Sequence, residues 1–277
     1  MTLKTLAAAF MSVGKPDHLA REASILARER DAHLLGVAVT SDPRYYSALG
    51  AYMSAEVIEQ IDRQQVRKAE ALHGAFDAAV AAEGVRGEWR MLRCGVKTVT
   101  ERILESGRSA DMLLVARPED RVHQIDDVHE QVIRTLGRPV LMLPPGATLE
   151  GLHRSALIGW SPTREASRAA FDALMLLEPG ASVTLLHVGP QSDNDLADGP
   201  MNDLAAGLAR HGLSVNVTHR LPGEEGAGAV IQREAFETGA AFIATGAFGH
   251  SRAYDFVVGA VTRQLLSHCT VPVLFSK

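Results

Sequence analysis

Three glycines near the C-terminal end of the chain have a spacing that suits phosphate binding. Gly246 and Gly249 are separated by two residues, and Gly259 follows after nine more. An apolar run, Ala240 to Ala244, precedes them and indicates a buried strand, and a predicted helix, Val261 to Ser267, follows. Glycine lets the backbone approach an anion closely, and the N–H groups and dipole of a helix start attract negative charge. This stretch therefore predicts a phosphate site at the end of a strand.

Two other phosphate-loop patterns do not fit these glycines. No Lys lies between Ala240 and Ser276, which excludes Gly-x-x-x-x-Gly-Lys-Ser/Thr, and the glycine spacing excludes Gly-x-Gly-x-x-Gly. The spacing resembles the nucleotide-binding signature of the universal stress protein family, and the adjoining Val261 and Thr262 match that signature too. The family usually has Ser or Thr after the last glycine, and this chain has Ala260 there.

The resemblance implies an adenine nucleotide site for ATP, with Mg²⁺ as an accompanying ion left open. Its phosphate end would be formed by Gly246, Gly249, Gly259, Ala260, Val261 and Thr262. Ala260 can offer only its backbone N–H. His250 and Arg252 in the glycine loop could contact phosphate as cations or donors, or could belong to a solvated loop.

At the adenine end, the resemblance implies contacts from the ends of two other strands. Family members commonly have an Asp after the first strand, and Ser161 stands at that position here. Ser161 could instead cap the next helix. Trp160 could stack on a base or fill the core, and Val188 stands where the family contacts adenine through its backbone.

The two halves of the sequence repeat each other, which predicts two copies of one domain. Val128 to Leu143 aligns with Val261 to Ser276 at an offset of 133 residues, and both stretches contain Pro-Val-Leu. We therefore predict a domain at residues 1–146 and a second at residues 151–277, with a hinge at Pro144 to Gly146.

Each half reads as alternating strands and helices, which predicts an α/β fold. We expect two tandem domains, each with a mainly parallel sheet of five strands. The family resemblance implies that the sheets are doubly wound and that the domains are adenine nucleotide alpha hydrolase-like, or Rossmann-like. It also implies that they join through their last strands, as a dimer built into one chain, and pairing of two such chains is left open. Two segments carry specific expectations: a long helical stretch at Tyr45 to Val80, and a polar loop at Pro190 to Pro200 before a helix at Met201 to His211.

The first half lacks the glycines of the second. Gly259 and Ala260 align with Asp126 and Asp127, and four carboxylates lie between Glu119 and Asp127. Like charges about 4 Å apart cost about 1 to 4 kcal/mol in water-like or surface surroundings. We therefore predict that this half does not bind ATP in the usual way, although the two aspartates could equally serve to stabilise a helix start.

Composition limits the remaining classes of function. The net charge of −5 does not suggest a nucleic-acid or membrane surface, and no apolar run approaches the roughly 20 residues of a membrane span. Residues 1–13 could pass for a short signal peptide, but we interpret them as containing the first strand. Two cysteines give no disulfide framework, which favours the cytoplasm.

No metal-ligand or catalytic motif emerges from the remaining chemistry-bearing residues. His123 and His129 flank Asp126 and Asp127 without a metal-ligand spacing, and Cys269 has no evident base. We therefore expect no metal site and no catalytic residue. The family resemblance implies a stress-response module, which we expect to act by binding or assembly. Two alternatives remain: a weak ATPase using Asp255, and an interaction module that binds no nucleotide.

Overall fold

The computed structural model describes residues 2–11, 16–40, 54–117, 127–249 and 259–277. In these residues the strands are β1 Thr5–Phe10, β2 His33–Thr40, β3 Gly87–Arg93, β4 Met112–Ala116, β5 Val140–Leu143, β6 Ser155–Trp160, β7 Ser182–Val188, β8 Ser214–Arg220, β9 Phe242–Gly246 and β10 Val273–Ser276. The α-helices are α1 Pro16–Glu29, α2 Ala55–Glu83, α3 Val99–Gly107, α4 Asp127–Thr135, α5 Arg164–Asp172, α6 Gln191–Arg210, α7 Ala227–Glu237 and α8 Ala260–His268.

These strands form one 10-stranded sheet in the order β3-β2-β1-β4-β5-β10-β9-β6-β7-β8. Each half contributes five neighbouring strands in the same doubly wound order, and all pairs within a half are parallel. The halves meet where β5 and β10 pair antiparallel, with Leu274 opposite Leu141. The predicted α/β class, and the joining of the halves through their last strands, are confirmed.

Helices cover both faces of the sheet, as the apolar strand sequences require. In β1, Leu6, Ala8 and Phe10 face one core, and Ala7 and Ala9 face the other. The first core is closed by α1, α2, α5 and α6, and the second by α3, α4, α7 and α8. This arrangement leaves the carboxyl ends of the parallel strands as the edge at which a ligand site can form.

The predicted polar loop at Pro190 to Pro200 is wrong, because residues 191–210 form the single helix α6 with Pro200 inside it. Met201, Leu204 and Leu208 of α6 are buried against the sheet, so tertiary packing outweighs the turn-forming composition of its first half. The long predicted helix at Tyr45 to Val80 is present from Ala55 to Glu83, capped by the Ser54 side chain, and residues 41–53 lie outside the described part.

The halves also contact each other through arginine side chains that bond to backbone carbonyls. Arg117 Nη1 donates to Ser267 O at 2.6 Å, and Arg168 Nη2 donates to Gly137 O at 3.2 Å. Arg30 likewise donates to the carbonyl oxygen of Leu176. Guanidinium groups suit this role because they present several donors in a fixed plane. Helices and loops of the two halves are thus joined as well as their strands.

No helix in the described ranges is both long and apolar enough to cross a membrane.

Candidate nucleotide site

A cavity of about 520 Å³ opens at the carboxyl ends of β6, β7 and β9 in the C-terminal half. The starts of α5, α7 and α8 close its sides. Its lining consists of Gly159, Trp160, Ser161, Pro162, Thr163, Ala166, Leu186, Val188, Ala227, Ile231, Thr245, Gly246, Phe248, Gly249, Gly259, Ala260, Val261 and Thr262. The predicted residues Gly246, Gly249, Gly259 to Thr262, Trp160, Ser161 and Val188 therefore meet in one place, although they come from segments far apart in sequence.

Two of the loop glycines are required by close approach or by backbone geometry. A Cβ atom on Gly246 would lie 2.6 Å from both Ala166 N and Glu165 C, so only glycine lets β9 end against the start of α5. Gly259 has a φ of 89°, a left-handed conformation that favours glycine, and a Cβ there would lie 2.9 Å from the Phe248 ring. These two glycines shape the phosphate end of the cavity.

Gly259 is the N-cap of α8, and no side chain from the described part of the chain forms a capping hydrogen bond at that helix start. The first N–H groups of a helix have no partner within the helix, and Ala260 and Val261, which carry two of them, line the cavity. This is the arrangement expected of a phosphate site, because the N–H groups and the helix dipole both favour an anion. The helix begins at Ala260, one residue before the predicted start.

Phe248, a residue that sequence reasoning missed, organises the glycine loop. It is buried, lines the cavity and has a φ of 52°, which is uncommon for a residue other than glycine. Its N–H donates to Thr262 Oγ1 at 3.3 Å, and its carbonyl accepts from Lys277 Nζ at 3.1 Å. Thr262 is itself buried, and its hydroxyl accepts the hydrogen bond from the backbone of Phe248. This is a role beyond the predicted phosphate contact.

The other end of the cavity is apolar. Leu186 and Val188 from β7 and Ile231 from α7 line it beside Trp160 at the end of β6. Trp160 is 8% exposed, and its indole Nε1 has no hydrogen-bond partner within the described residues. A buried donor of this kind usually has a partner, so Trp160 marks a place where a ligand could supply an acceptor.

Ser161 does not cap the helix that follows it, which corrects that alternative. The N-cap of α5 is Thr163, whose Oγ1 accepts from Ala166 N at 3.2 Å. Ser161 Oγ instead lies 3.2 Å from Thr163 Oγ1 and lines the cavity. Two hydroxyl-bearing residues precede this helix in the sequence, and only the backbone geometry decides which of them caps it.

Glu165 lies beneath the glycine loop and carries the acidic charge nearest to it among the described residues. A Cβ on Gly249 would lie 3.4 Å from its Oε2. Burial opposes ionisation of Glu165, but its hydrogen bond with Arg164 at 2.6 Å, a backbone hydrogen bond and the charges of Arg164 and Lys277 outweigh burial and lower its pKa. The carboxylate is therefore ionised at neutral pH, with Arg164 as its counter-charge.

The remaining predicted residues of the loop, His250 and Arg252, lie outside the described part of the chain, as does Asp255. Their expected contacts stay predictions.

The corresponding region of the N-terminal half is built differently. Ala116, which aligns with Gly246, ends β4, and Asp127 begins α4 where α8 begins in the other half. His129 is buried, and its Nε2 lies 3.2 Å from Ala116 O, while His123 and Asp126 fall outside the described ranges. No group of three potential metal-ligating side chains occurs among the described residues.

Fold and cavity together define the class: a doubly wound α/β protein with a glycine-lined cavity at its topological switch point. Residues 155–277 match the family model of the universal stress protein family. The C-terminal half is therefore a domain of that family.

Solved structures extend the similarity in fold to the whole chain. A universal stress protein from Archaeoglobus fulgidus DSM 4304 shares 13% identity, covers 99% of this chain and 98% of its own, and has a TM-score of 0.72. A functionally unknown protein from Pseudomonas aeruginosa PAO1 shares 12% identity, covers 99% of this chain and 92% of its own, and has a TM-score of 0.59. A universal stress protein from Archaeoglobus fulgidus, solved in complex with dAMP, covers 51% of this chain and 98% of its own, with 20% identity and a TM-score of 0.35. No curated protein is similar enough in sequence to count as a match.

Proposed function

We propose that the C-terminal half binds an adenine nucleotide, ATP, in the cavity described above. The chain would act through binding or assembly in a stress response, and not through catalysis. The two buried cysteines, Cys94 and Cys269, which do not form a disulfide, support a reducing compartment such as the cytoplasm.

The observation that carries this proposal is the two-ended character of one cavity. One end has the uncapped start of α8 beside Gly246 and Gly249, which suits phosphate groups. The other end has Trp160 and aliphatic side chains, which suit a flat base. The volume of about 520 Å³ falls within the range of about 300 to 1,000 Å³ that is typical of small-molecule sites.

The residues present therefore fit a nucleotide, with one contact weakened. Ala260 lines the cavity at the first position of α8, where it has a backbone N–H but no hydroxyl. Loss of one hydroxyl contact weakens binding by about 0.5 to 1.5 kcal/mol, or roughly 2- to 13-fold. This is small compared with the whole free energy of nucleotide binding. We therefore expect Ala260 to reduce the affinity for ATP without abolishing it.

Calorimetric titration of the full chain with ATP and Mg²⁺ tests the proposal. We expect binding by the natural protein, and strongly reduced binding by Gly249→Asp, which places a carboxylate at the phosphate end beside Glu165. Gly74→Asp is the matched control, because a Cβ at Gly74 on α2 meets nothing within 4 Å. If millimolar ATP does not bind to the natural protein, the alternative of a nucleotide-free interaction module replaces this proposal.

Two further measurements separate binding from its rivals. We expect no phosphate release above buffer from the full chain with ATP and Mg²⁺. Release that Asp255→Ala abolishes would establish the weak ATPase instead. We also expect the assembly state, measured by light scattering, to differ between samples with and without saturating ATP. Identical profiles would contradict assembly as the output.

A further inference from the structure

Arg134, a residue of the N-terminal half, lies against Phe248 and Gly259, two residues that line the cavity of the C-terminal half. Its guanidinium carbon lies 3.4 Å from the centre of the Phe248 ring, and the two groups form a cation–π contact. Its Nη2 lies 4.0 Å from the position that a Cβ on Gly259 would occupy. The side chain therefore crosses between the halves and ends beside the start of α8.

Phe248 fixes the place of this guanidinium. The ring contacts the guanidinium of Arg134 and also approaches Gly259, where it would be 2.9 Å from a Cβ. It is only 2% exposed, and its backbone is bonded to Thr262 and Lys277. A planar guanidinium stacked on a buried ring has few alternative positions, so its charge stays near Gly259.

The positive charge of Arg134 is only partly neutralised by the carboxylate it faces. The ion pair of Arg134 with Glu130 is long, at 3.7 Å, whereas Arg263 Nε donates to the same carboxylate at 2.8 Å. One carboxylate thus faces two guanidinium groups, one from each half. The nearby carboxylate of Glu165 is paired with Arg164. Among the described residues, an anion at the start of α8 would therefore meet an excess of positive charge.

We infer that Arg134 completes the phosphate end of the cavity of the C-terminal half. Held on Phe248, it presents a positive charge toward the start of α8, where the outer phosphoryl groups of a nucleotide would lie. The inference rests on the nucleotide site of the proposed function and adds a role for the N-terminal half, which lacks the phosphate glycines itself. The complete site is then shared by the two halves, and it favours a triphosphate over a nucleoside.

Calorimetry on the full chain with ATP and with adenosine tests this role. Arg134→Gln should lower the affinity for ATP about tenfold and leave the affinity for adenosine unchanged, because only the phosphoryl groups lie near the charge. Arg134→Lys should lose part of the affinity for ATP, because it keeps the charge but not the planar group that lies over Phe248. Arg138→Gln, an exposed position four residues further along the chain, is the control. An unchanged ATP affinity in Arg134→Gln, or equal losses for ATP and adenosine, would overturn the inference.

A ligand without a base separates this inference from the proposed function. Inorganic tripolyphosphate should raise the melting temperature of the natural protein and of Arg138→Gln more than that of Arg134→Gln. If neither ATP nor adenosine binds but this difference is present, the nucleotide proposal fails and the phosphate role of Arg134 stands. If tripolyphosphate stabilises the natural protein and Arg134→Gln equally, or stabilises neither, the inference fails.

Discussion

The carboxylate of Glu22 on α1 accepts a hydrogen bond from the backbone N–H of Leu149 at 2.7 Å, which ties the connection between the halves to the N-terminal half. The same oxygen accepts from Thr148 Oγ1 at 2.9 Å, and the other pairs with Arg21 at 2.7 Å. Glu22 is fully buried. The segment after Gly146 is thus held by specific bonds, while the domain limits at residues 146 and 151 stay predictions.

Replacement of Glu22 should destabilise the fold strongly. Glu22→Ala leaves the Leu149 N–H buried without its acceptor and removes the partner of Arg21, which we expect to lower the free energy of unfolding by on the order of 3 kcal/mol. Urea denaturation measures this, with Glu237→Ala at the exposed end of α7 as the control. A loss no larger than that of the control would show that the bonds of Glu22 to the connecting segment contribute little to stability.

The close approach of β9 to α5 predicts opposite effects for the same substitution at two glycines. Gly246→Ala should destabilise the protein by about 1 to 3 kcal/mol, because the added methyl group would lie 2.6 Å from backbone atoms of Glu165 and Ala166. Gly74→Ala on α2 should stabilise it by about 0.5 to 1 kcal/mol, since alanine favours a helix interior and has free space there. Thermal unfolding of both variants checks the two signs, and similar shifts in the same direction would contradict this account.

The sequence predicts the fold well, because the fold rests on local patterns. Apolar runs of strand length and the repeat between the halves define the sheet, and the spacing of Gly246, Gly249 and Gly259 indicates residues that line one cavity. In contrast, the sequence does not predict the first half of α6, because Pro200 and its polar neighbours are typical of turns. The burial of Met201 and Leu204 stabilises the helix, and this burial depends on tertiary packing.

The contact between Arg134 and Phe248 shows what a sequence pattern cannot supply. The two residues are far apart along the chain and meet only because β5 pairs with β10. Arg134 lies outside the glycine motif, Phe248 occupies one of its variable positions, and a positive φ at a phenylalanine has no sequence signal. Both features depend on tertiary structure alone, so they could be found only once the halves were placed together.

The start of α5 predicts unequal effects for two neighbouring hydroxyl groups. Thr163→Ala removes the N-cap that accepts from Ala166 N, and we expect it to cost about 0.5 to 2 kcal/mol of stability. Ser161→Ala should cost less stability, because within the described residues the Ser161 hydroxyl forms a hydrogen bond only with Thr163 Oγ1. Chemical denaturation of both variants measures the difference. A larger loss for Ser161→Ala would restore Ser161 as the cap and contradict the geometry.

Burial of Cys269 predicts a dependence of stability on alkaline pH. Burial raises the pKa of its thiol from 9.0 to about 11, and backbone hydrogen bonds with Val271 and Thr270 and the charge of Arg117 offset only part of that rise. Between these values the unfolded chain loses the proton and the folded chain keeps it, so stability falls as pH rises through this window. The loss is about 2 to 3 kcal/mol.

Other groups also titrate between pH 9 and 11, so the quantity to measure is the difference in unfolding free energy between the natural protein and Cys269→Ala. Between pH 8.5 and 11.5 the unfolding free energy of the natural protein should fall relative to that of Cys269→Ala, by about 2 to 3 kcal/mol. Parallel pH profiles would mean that the Cys269 thiol titrates alike in the folded and unfolded chains.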